Sequence, residues 1–588
     1  MPRIRRTEST EVVADPETQL ERAELEDDTE DESSIGPPAL EDSRRGRFRR
    51  HRRNTGAVEP AARKKERRRR SPVATLLGVG LLLMATAAVS AVRYLEAPAS
   101  ARVLGDNYPV NAGAQDLSDI SAHNSPNFVQ NPTDHANLAV ANRIDSPKYS
   151  CAVHISFDGG ASWRQTPLPI PEGESPKCFA PDVAFGADGT LYVLYVTLKG
   201  AGNVPNAVWI VTSSDGGLTL SEPGEEVLGP LSFQVGLAAD PSTPERLYLT
   251  WLEAEQVALF QFVGTSNPIR FAVSEDGGAS WDEPATVSPP TRERVVAPSL
   301  AVGPEGELYL LYLDMKDDRL DYEGAHGGLG GPPYDGTFEL VLARSDDGST
   351  WQEATIDSAV VPVERFVVFL PPTPSLAVDE SDGTIYVAYQ DARLGDPDVW
   401  LWASTDGGVT WTGAVRVNDT PRSDGSYQLL PQVAVAPDGR VDVIYYDRRA
   451  DPENIMNEVS LQSSFDAGKT FQPRIVLSDT SFDSRIGLRG DRGLPDLGSR
   501  LALLSTQERS FAIWTDTRSG TDASLKQDLV RAVVEFSERP TVAPMALAGL
   551  RYGGGGLGVL GVLLVIAGLI GRKPREETDV VEEDEAAA

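Results

Sequence analysis

Apolar residues fall along this chain in two patterns. The first is short. Runs such as 191–196 (LYVLYV), 308–313 (LYLLYL), 385–390 (IYVAYQ) and 441–446 (VDVIYY) are bounded by Gly, Pro, Asp or Ser. Runs of that length, rich in β-branched and aromatic residues, predict strands. Each is preceded by a matching phrase: Pro181-Asp182-Val183-Ala184-Phe185, Pro298-Ser299-Leu300-Ala301-Val302, Pro374-Ser375-Leu376-Ala377-Val378 or Pro431-Gln432-Val433-Ala434-Val435. Asp188-Gly189, Glu305-Gly306, Asp382-Gly383 and Asp438-Gly439 lie between phrase and run and predict hairpin turns. The second pattern is long. Residues 73–92 and 553–571 are apolar stretches of the length a membrane-spanning helix needs.

A polar phrase recurs between the strands. Ser404-Thr405-Asp406-Gly407-Gly408-Val409-Thr410-Trp411 has the form S-x-D-G-G-x-[ST]-W, and 156–163 and 274–281 repeat it in full. Residues 213–220 lack the aromatic, 464–471 replace one Gly and the Trp, and 345–351 are one residue short. The shared aspartates are Asp158, Asp215, Asp276, Asp347, Asp406 and Asp466, at intervals near sixty residues. A period of that size signals a repeat architecture. The Asp and Ser side chains accept hydrogen bonds from nearby backbone N–H groups and pin a turn. The aromatic folds back onto the strands. The phrase resembles the Asp-box, or bacterial neuraminidase repeat, of sialidases and other β-propellers, over residues 101–537. The resemblance implies an all-β propeller of four-stranded antiparallel blades. It implies no activity by itself, because the motif also occurs in propellers that are not sialidases.

Six repeats carry a box. A seventh unit at 501–504, 511–516 and 529–536 has neither a box nor a fourth strand. Ala101-Arg102-Val103-Leu104 resembles the outer-strand phrase Ala414-Val415-Arg416-Val417. It is expected to complete the last blade and close the ring. The reading is seven blades, with six as the alternative because sialidases have six.

Composition adds the setting. The 588 residues carry a net charge of −33, which excludes nucleic-acid binding by the propeller. Residues 1–70 hold an acidic stretch and a dense Arg/Lys block with few apolar side chains, and are expected to be a disordered cytoplasmic tail. Arg67 to Arg70 precede the first apolar stretch and Arg572-Lys573-Pro574-Arg575 follow the second. The positive-inside rule then puts both tails in the cytoplasm of a bacterial-type plasma membrane. The expected order is a span at 71–93, an extracytoplasmic propeller at 101–540, a span at 552–571 and an acidic tail at 572–588. Small residues at Val89-Ser90-Ala91 and Ala99-Ser100-Ala101 are also of the kind a signal peptidase cuts. The second stretch and its basic stop resemble a cleaved C-terminal sorting signal, from which the acidic extension departs. Cys151 and Cys178 fall on one face of the ring in an oxidising compartment and are expected to form a disulfide. The five His show no metal spacing.

Strand order fixes two faces. Boxes lie on one, with the turns between first and second strands. The other carries the remaining loops, which bear the active site in sialidases. Aligned ends of the second strands give Arg143, Thr197, Glu253, Asp314, Asp391, Asp447 and Asp516. An Arg follows two residues later in Asp391-Ala392-Arg393, Asp447-Arg448-Arg449 and Asp516-Thr517-Arg518. One reading is scaffold, with each Asp–Arg pair locking loops. The other is a ligand rim of Arg143, Asp314, Asp391, Asp447 and Asp516 around a pocket, suited to a cation, an amine or a carboxylated sugar. The sialidase resemblance implies three Arg on a substrate carboxylate and a Tyr nucleophile paired with a Glu. Arg393, Arg449, Arg518, Tyr446 and Glu253 are the candidates by face. The Arg-Ile-Pro signature of that family has no clean match, and Arg143-Ile144-Asp145 is the nearest phrase. The enlarged loops 316–336 and 482–498 fall on the same face. Asp396-Pro397-Asp398 is a weak calcium motif, and no other cofactor is expected. The expected function is a membrane-anchored propeller that binds a glycan or a cell-surface protein through this face. A sialidase-type exo-glycoside hydrolase is the alternative.

Overall fold

The computed structural model describes residues 70–570, apart from 96–99, 112, 117, 201–203, 255–266, 319–333, 335, 364–371, 488–496 and 538–543. The compact unit Pro72–Gly568 holds two helices and the propeller. Of the second unit, Met1–Ser71 with Leu569–Ala588, only residues 70, 71, 569 and 570 are described. The expected disordered tails and most of the loop 316–336 therefore lie outside the described residues, as does 490–493.

Seven antiparallel sheets form the ring, as expected. Blade 1 is typical: His123–Gln130, Leu138–Ile144, Ser150–Ser156 and Arg164–Thr166, paired in chain order from the inside out. The innermost strand of each blade packs on that of the next, and Ala502–Ser505 of blade 7 returns to His123–Gln130 of blade 1. Second strands such as Leu308–Asp314 and Val441–Asp447 are buried along their whole length, because blades stack face to face. That is why they read as continuous apolar runs rather than alternating ones.

The ring closes as the sequence predicts. Ala101–Val103 pairs with Asp528–Phe536 as the outer strand of blade 7, in the register Ala101↔Phe536 and Val103↔Val534. The two chain ends are tied together beyond it. Ser100 N donates to Ser537 Oγ and Ser537 N donates to Ser100 O, each at 2.9 Å.

Every box adopts the self-bonded corner. In the copy at 404–411, Ser404 Oγ donates to Asp406 Oδ1 (2.8 Å) and accepts from Gly408 N (2.9 Å). Thr410 gives its N–H to Asp406 Oδ1 (2.8 Å) and its hydroxyl to Oδ2 (2.6 Å). Gly407 and Gly408 hold φ of 70° and 87°, values a side chain resists. Trp411 closes the corner through Nε1 on Gly408 O at 3.0 Å. Bonds from the Ser and Thr hydroxyls hold the carboxyls of Asp158, Asp215 and Asp406 down to about 2. The short copy keeps the corner with one residue fewer, through Ser349 N and Thr350 N on Asp347 Oδ1, both at 2.8 Å.

Cys151 and Cys178 form the expected disulfide, with a Cα–Cα distance of 5.5 Å, joining blade 1 to the inner strand of blade 2. The helices are α1 (Pro72–Leu95) and α2 (Pro544–Ile570), both long and apolar enough to cross a membrane. They pack against each other through small residues. A Cβ on Gly78 would meet Gly561 O at 2.7 Å, and one on Gly554 would meet Ala88 Cβ at 2.8 Å. Residue numbers rise along one helix as they fall along the other, so the pair is antiparallel.

Two consequences are measurable. Ser404→Ala leaves the buried Gly408 N–H without its acceptor and should cost about 1–3 kcal/mol in a urea unfolding curve. Cys151→Ser opens a loop of 27 residues and should cost about 3 kcal/mol by the chain-entropy estimate, as should reduction of the wild type.

Candidate functional site

Second strands end at Glu253, Asp314, Asp391, Asp447 and Asp516, as the alignment predicts. The aromatics two residues earlier, Trp251, Tyr312, Tyr389, Tyr445 and Trp514, are buried between blades. Blade 1 needs a correction. Its inner strand pairs His123 with Ile144 and Asn124 with Arg143. Blade 2 pairs Cys178 with Thr197. Ile144, not Arg143, therefore stands level with Thr197. Arg143 lies one residue early and on the opposite side of its strand.

The three arginines turn back onto their own loops. Arg393 Nε donates to Asp391 Oδ2 (2.7 Å) and Nη2 to Asp357 Oδ2 (2.8 Å). Its guanidinium also lies 5.1 Å from the Trp400 ring. Arg449 Nε donates to Asp447 Oδ2 (2.7 Å), and Nη1 bonds Asp419. Arg518 Nε and Nη2 bond Asp516 (2.9 and 2.6 Å), and Nη2 reaches Asn107 Oδ1 (2.9 Å). Asp391, Asp447 and Asp516 are buried. Asp447 takes a second cation, Arg474, at 3.1 Å. Burial pushes the Asp391 carboxyl up, and Arg393 opposes that shift. Asp314 is paired with Arg292 at 2.8 Å.

The five residues proposed for catalysis are not joined. None of them bonds another among the described residues. Tyr446 is fully buried, and its hydroxyl exchanges 3.1 Å hydrogen bonds with Thr515 O and Thr515 N. Burial pushes that hydroxyl well above its usual range, so it is not placed as a nucleophile. The side chain of Glu253 is 52% exposed and lies 3.5 Å from Arg270. The strand period accounts for their separation: adjacent residues face opposite sides, and the Asp-x-Arg spacing suits a bond between the two.

A cavity of about 1580 Å³ runs down the axis, lined by the inner strands of all seven blades. On the loop side it is lined by Tyr149, Phe179, Phe233, Arg143 and Arg500. Arg143 is bonded to Asp145 (2.6 Å), with its guanidinium 5.0 Å from the Phe179 ring. Arg500 donates from Nε to Pro126 O (3.2 Å) and from Nη2 to Pro181 O (3.3 Å), so blade 7 reaches blades 1 and 2. Asp182 accepts from Val183 N (3.0 Å) and Leu237 N (2.9 Å). Burial lowers Arg500 and raises Asp182, and each charge opposes the shift of the other.

Sequence reasoning passed over this axial pair, although a signal was present. By register, Arg500 is level with Ser125, Ala180, Gln234, Ala297, Thr373 and Leu430, and it alone in that series is charged. Two places on, Asp182 is the one charged residue among Asn127, Asp182, Gly236, Ser299, Ser375, Gln432 and Ala502. Among the described residues no group of three or more His, Cys, Asp or Glu is placed to hold a metal. His123 and His154 are buried and bridged by Asn142 (3.1 and 2.9 Å).

Removing one rim guanidinium tests its structural weight. Arg393→Ala would strand the buried Asp391 carboxylate, and should cost about 3–5 kcal/mol in equilibrium unfolding.

The match to a known repeat family agrees with the architecture. Residues 267–516 match the profile of the BNR repeat-like domain. A xyloglucanase of Paenibacillus sp is 26% identical over 275 residues, which is 41% of this chain but only 24% of that protein. Among solved structures, a Dyadobacter fermentans protein of unknown function shares 16% identity, covering 74% of this chain and 99% of its own, with a TM-score of 0.41. A Hadza microbial sialidase shares 14%, covering 68% and 74%, with a TM-score of 0.37. Six self-bonded boxes on a closed ring of seven antiparallel sheets, together with the BNR repeat-like match over residues 267–516, make this chain a β-propeller that carries BNR-like repeats.

Proposed function

We propose that the chain is a membrane-anchored, extracytoplasmic glycan-binding propeller whose ligand enters the loop-side mouth of the axial cavity. The observation that carries this reading is the lining of that mouth. Tyr149, Phe179 and Phe233 offer apolar ring surface, and Arg143, Arg500 and Asp182 offer charge beside it. Concave sites that mix aromatic surface with a few fixed polar groups are the usual form of a small-ligand site. The Paenibacillus relative, a xyloglucanase by name, supports a carbohydrate as the ligand class. The outer Asp–Arg pairs act as scaffold in this reading, since Arg393, Arg449 and Arg518 are each bonded to a buried aspartate away from the lining of the axial cavity.

Anchoring rests on α1 and α2, whose length and composition suit a bilayer. The basic residues before α1 and after α2 favour an outward-facing propeller, and a disulfide belongs in an oxidising compartment. The sialidase alternative gains no support from the rim. Its three arginines are engaged, and Tyr446 is enclosed.

The test is a glycan array probed with the full chain in detergent micelles, including xyloglucan and sialylated oligosaccharides. Binding to at least one glycan class is expected. Phe179→Ala and Arg500→Ala should each weaken it about tenfold, the equivalent of about 1.4 kcal/mol, without loss of the β-sheet circular dichroism signal. A folded protein that binds no glycan would overturn the proposal. Turnover of a fluorogenic sialoside would replace it with the hydrolase reading.

A further inference from the structure

We infer that Asp396 and Asp398 form a calcium site that ties the loop of blade 5 to the connection entering blade 6. Both residues lie between the second strand of blade 5, Ile385–Asp391, and the third, Asp398–Ser404. They are only 6% and 2% exposed. Asp396 Oδ2 accepts Gly425 N at 2.7 Å, but its Oδ1 is buried with no partner. Asp398 Oδ1 accepts Asn418 Nδ2 at 2.6 Å, and its Oδ2, like Asp396 Oδ1, is buried with no hydrogen-bond partner among the described residues. Among the described residues one ion pair serves the two carboxylates, Arg416 Nη1 to Asp398 at 3.4 Å. A buried charge without a hydrogen-bonded counter-charge is costly, and native proteins pair it or place a metal on it.

The surrounding chemistry selects the ion. Thr420 Oγ1 and Gln428 Oε1 lie 2.7 and 2.8 Å from the same Asn418 amide that holds Asp398. The neighbourhood is thus rich in oxygen. Two buried carboxylates two residues apart repel one another, and a hard divalent ion would relieve that repulsion. Calcium accepts carboxylate, amide and hydroxyl oxygens together with water in a loose shell, whereas zinc asks for His or Cys. With no third carboxylate in position among the described residues, the shell would be two aspartates, neutral oxygens and solvent. The ion would join the loop at 392–397 to 419–427, already linked by Gln428 N on Pro397 O at 2.9 Å. This inference stands apart from the glycan reading, because none of these residues lines the axial cavity.

The experiment uses the full chain in detergent micelles. Thermal melts in millimolar calcium chloride are compared with melts in EDTA, and terbium luminescence sensitised by tryptophan reports the ion directly. Calcium should raise the melting temperature by several degrees and displace terbium. Asp396→Asn and Asp398→Asn should abolish both effects. In EDTA, Asp398→Asn should melt at or above the wild type, since it removes a buried charge, which shows that the variant folds. A wild type that melts identically in calcium and EDTA would sink the proposal. So would a calcium gain retained by both variants. Stability that rises only as pH is lowered from neutral, with no response to calcium, would assign the pair a shared proton and also overturn it.

Discussion

A bulge in the inner strand of the blades is the constraint on which the ring depends. Register shifts occur between Asn124 and Asn127, Phe179 and Asp182, Phe233 and Gly236, Val296 and Ser299, and Leu429 and Gln432. Ser125, Ala180, Gln234, Ala297 and Leu430 hold left-handed φ there, between 46° and 61°. That conformation is unfavourable for a non-glycine residue and persists only where neighbours enforce it. Here the adjacent blade does so. Gln234 of blade 3 accepts Ala297 N of blade 4 (2.8 Å), and Gln390 of blade 5 accepts Leu430 N of blade 6 (2.7 Å). Asp182 caps Leu237 N, Ser375 caps Val433 N and Ser125 caps Ser499 N in the same way. The bulge leaves backbone donors that its own sheet does not use. A buried donor needs a partner, so each blade requires its neighbour.

The axial cavity follows from that stitching. Bulges bend the inner strands, and Arg500 finds the carbonyls of Pro126 and Pro181 at the bulges of blades 1 and 2. A ring built from hydrophobic stacking alone would tolerate rotation of one blade against the next. Directional bonds between blades remove that freedom and fix the shape of the cavity mouth. The disulfide reinforces the joint between blades 1 and 2, where Arg143, Phe179 and Asp182 gather.

Much of the fold was legible because its determinants are local. The boxes need only seven or eight residues each, and the outer strand of blade 7 betrayed itself by resembling 414–417. The disulfide followed from strand order. The site was harder to read because its determinants are not local. Arg393, Arg449 and Arg518 looked like a converging set, yet each bonds the aspartate two residues before it and a second partner on a neighbouring segment, Asp357, Asp419 or Asn107. Arg143 was displaced by one place because the second strand of blade 1 ends on an apolar residue, Ile144, where its counterparts end on polar ones, and a single step on a strand exchanges faces. Arg500 and Asp182 needed the opposite approach. They stand out only after seven inner strands have been aligned by their hydrogen bonds.

The seam at Ala101–Val103 has a mechanical side. The chain leaves the propeller toward α1 and toward α2 from the bonded pair Ser100 and Ser537, at one end of an antiparallel strand pair. A pull that separates the helices therefore arrives at that end first. It peels the rungs in succession instead of loading them together. As long as the helices stay side by side, no such pull arises. Lateral cohesion between the two helices would then keep the latch of the wheel shut.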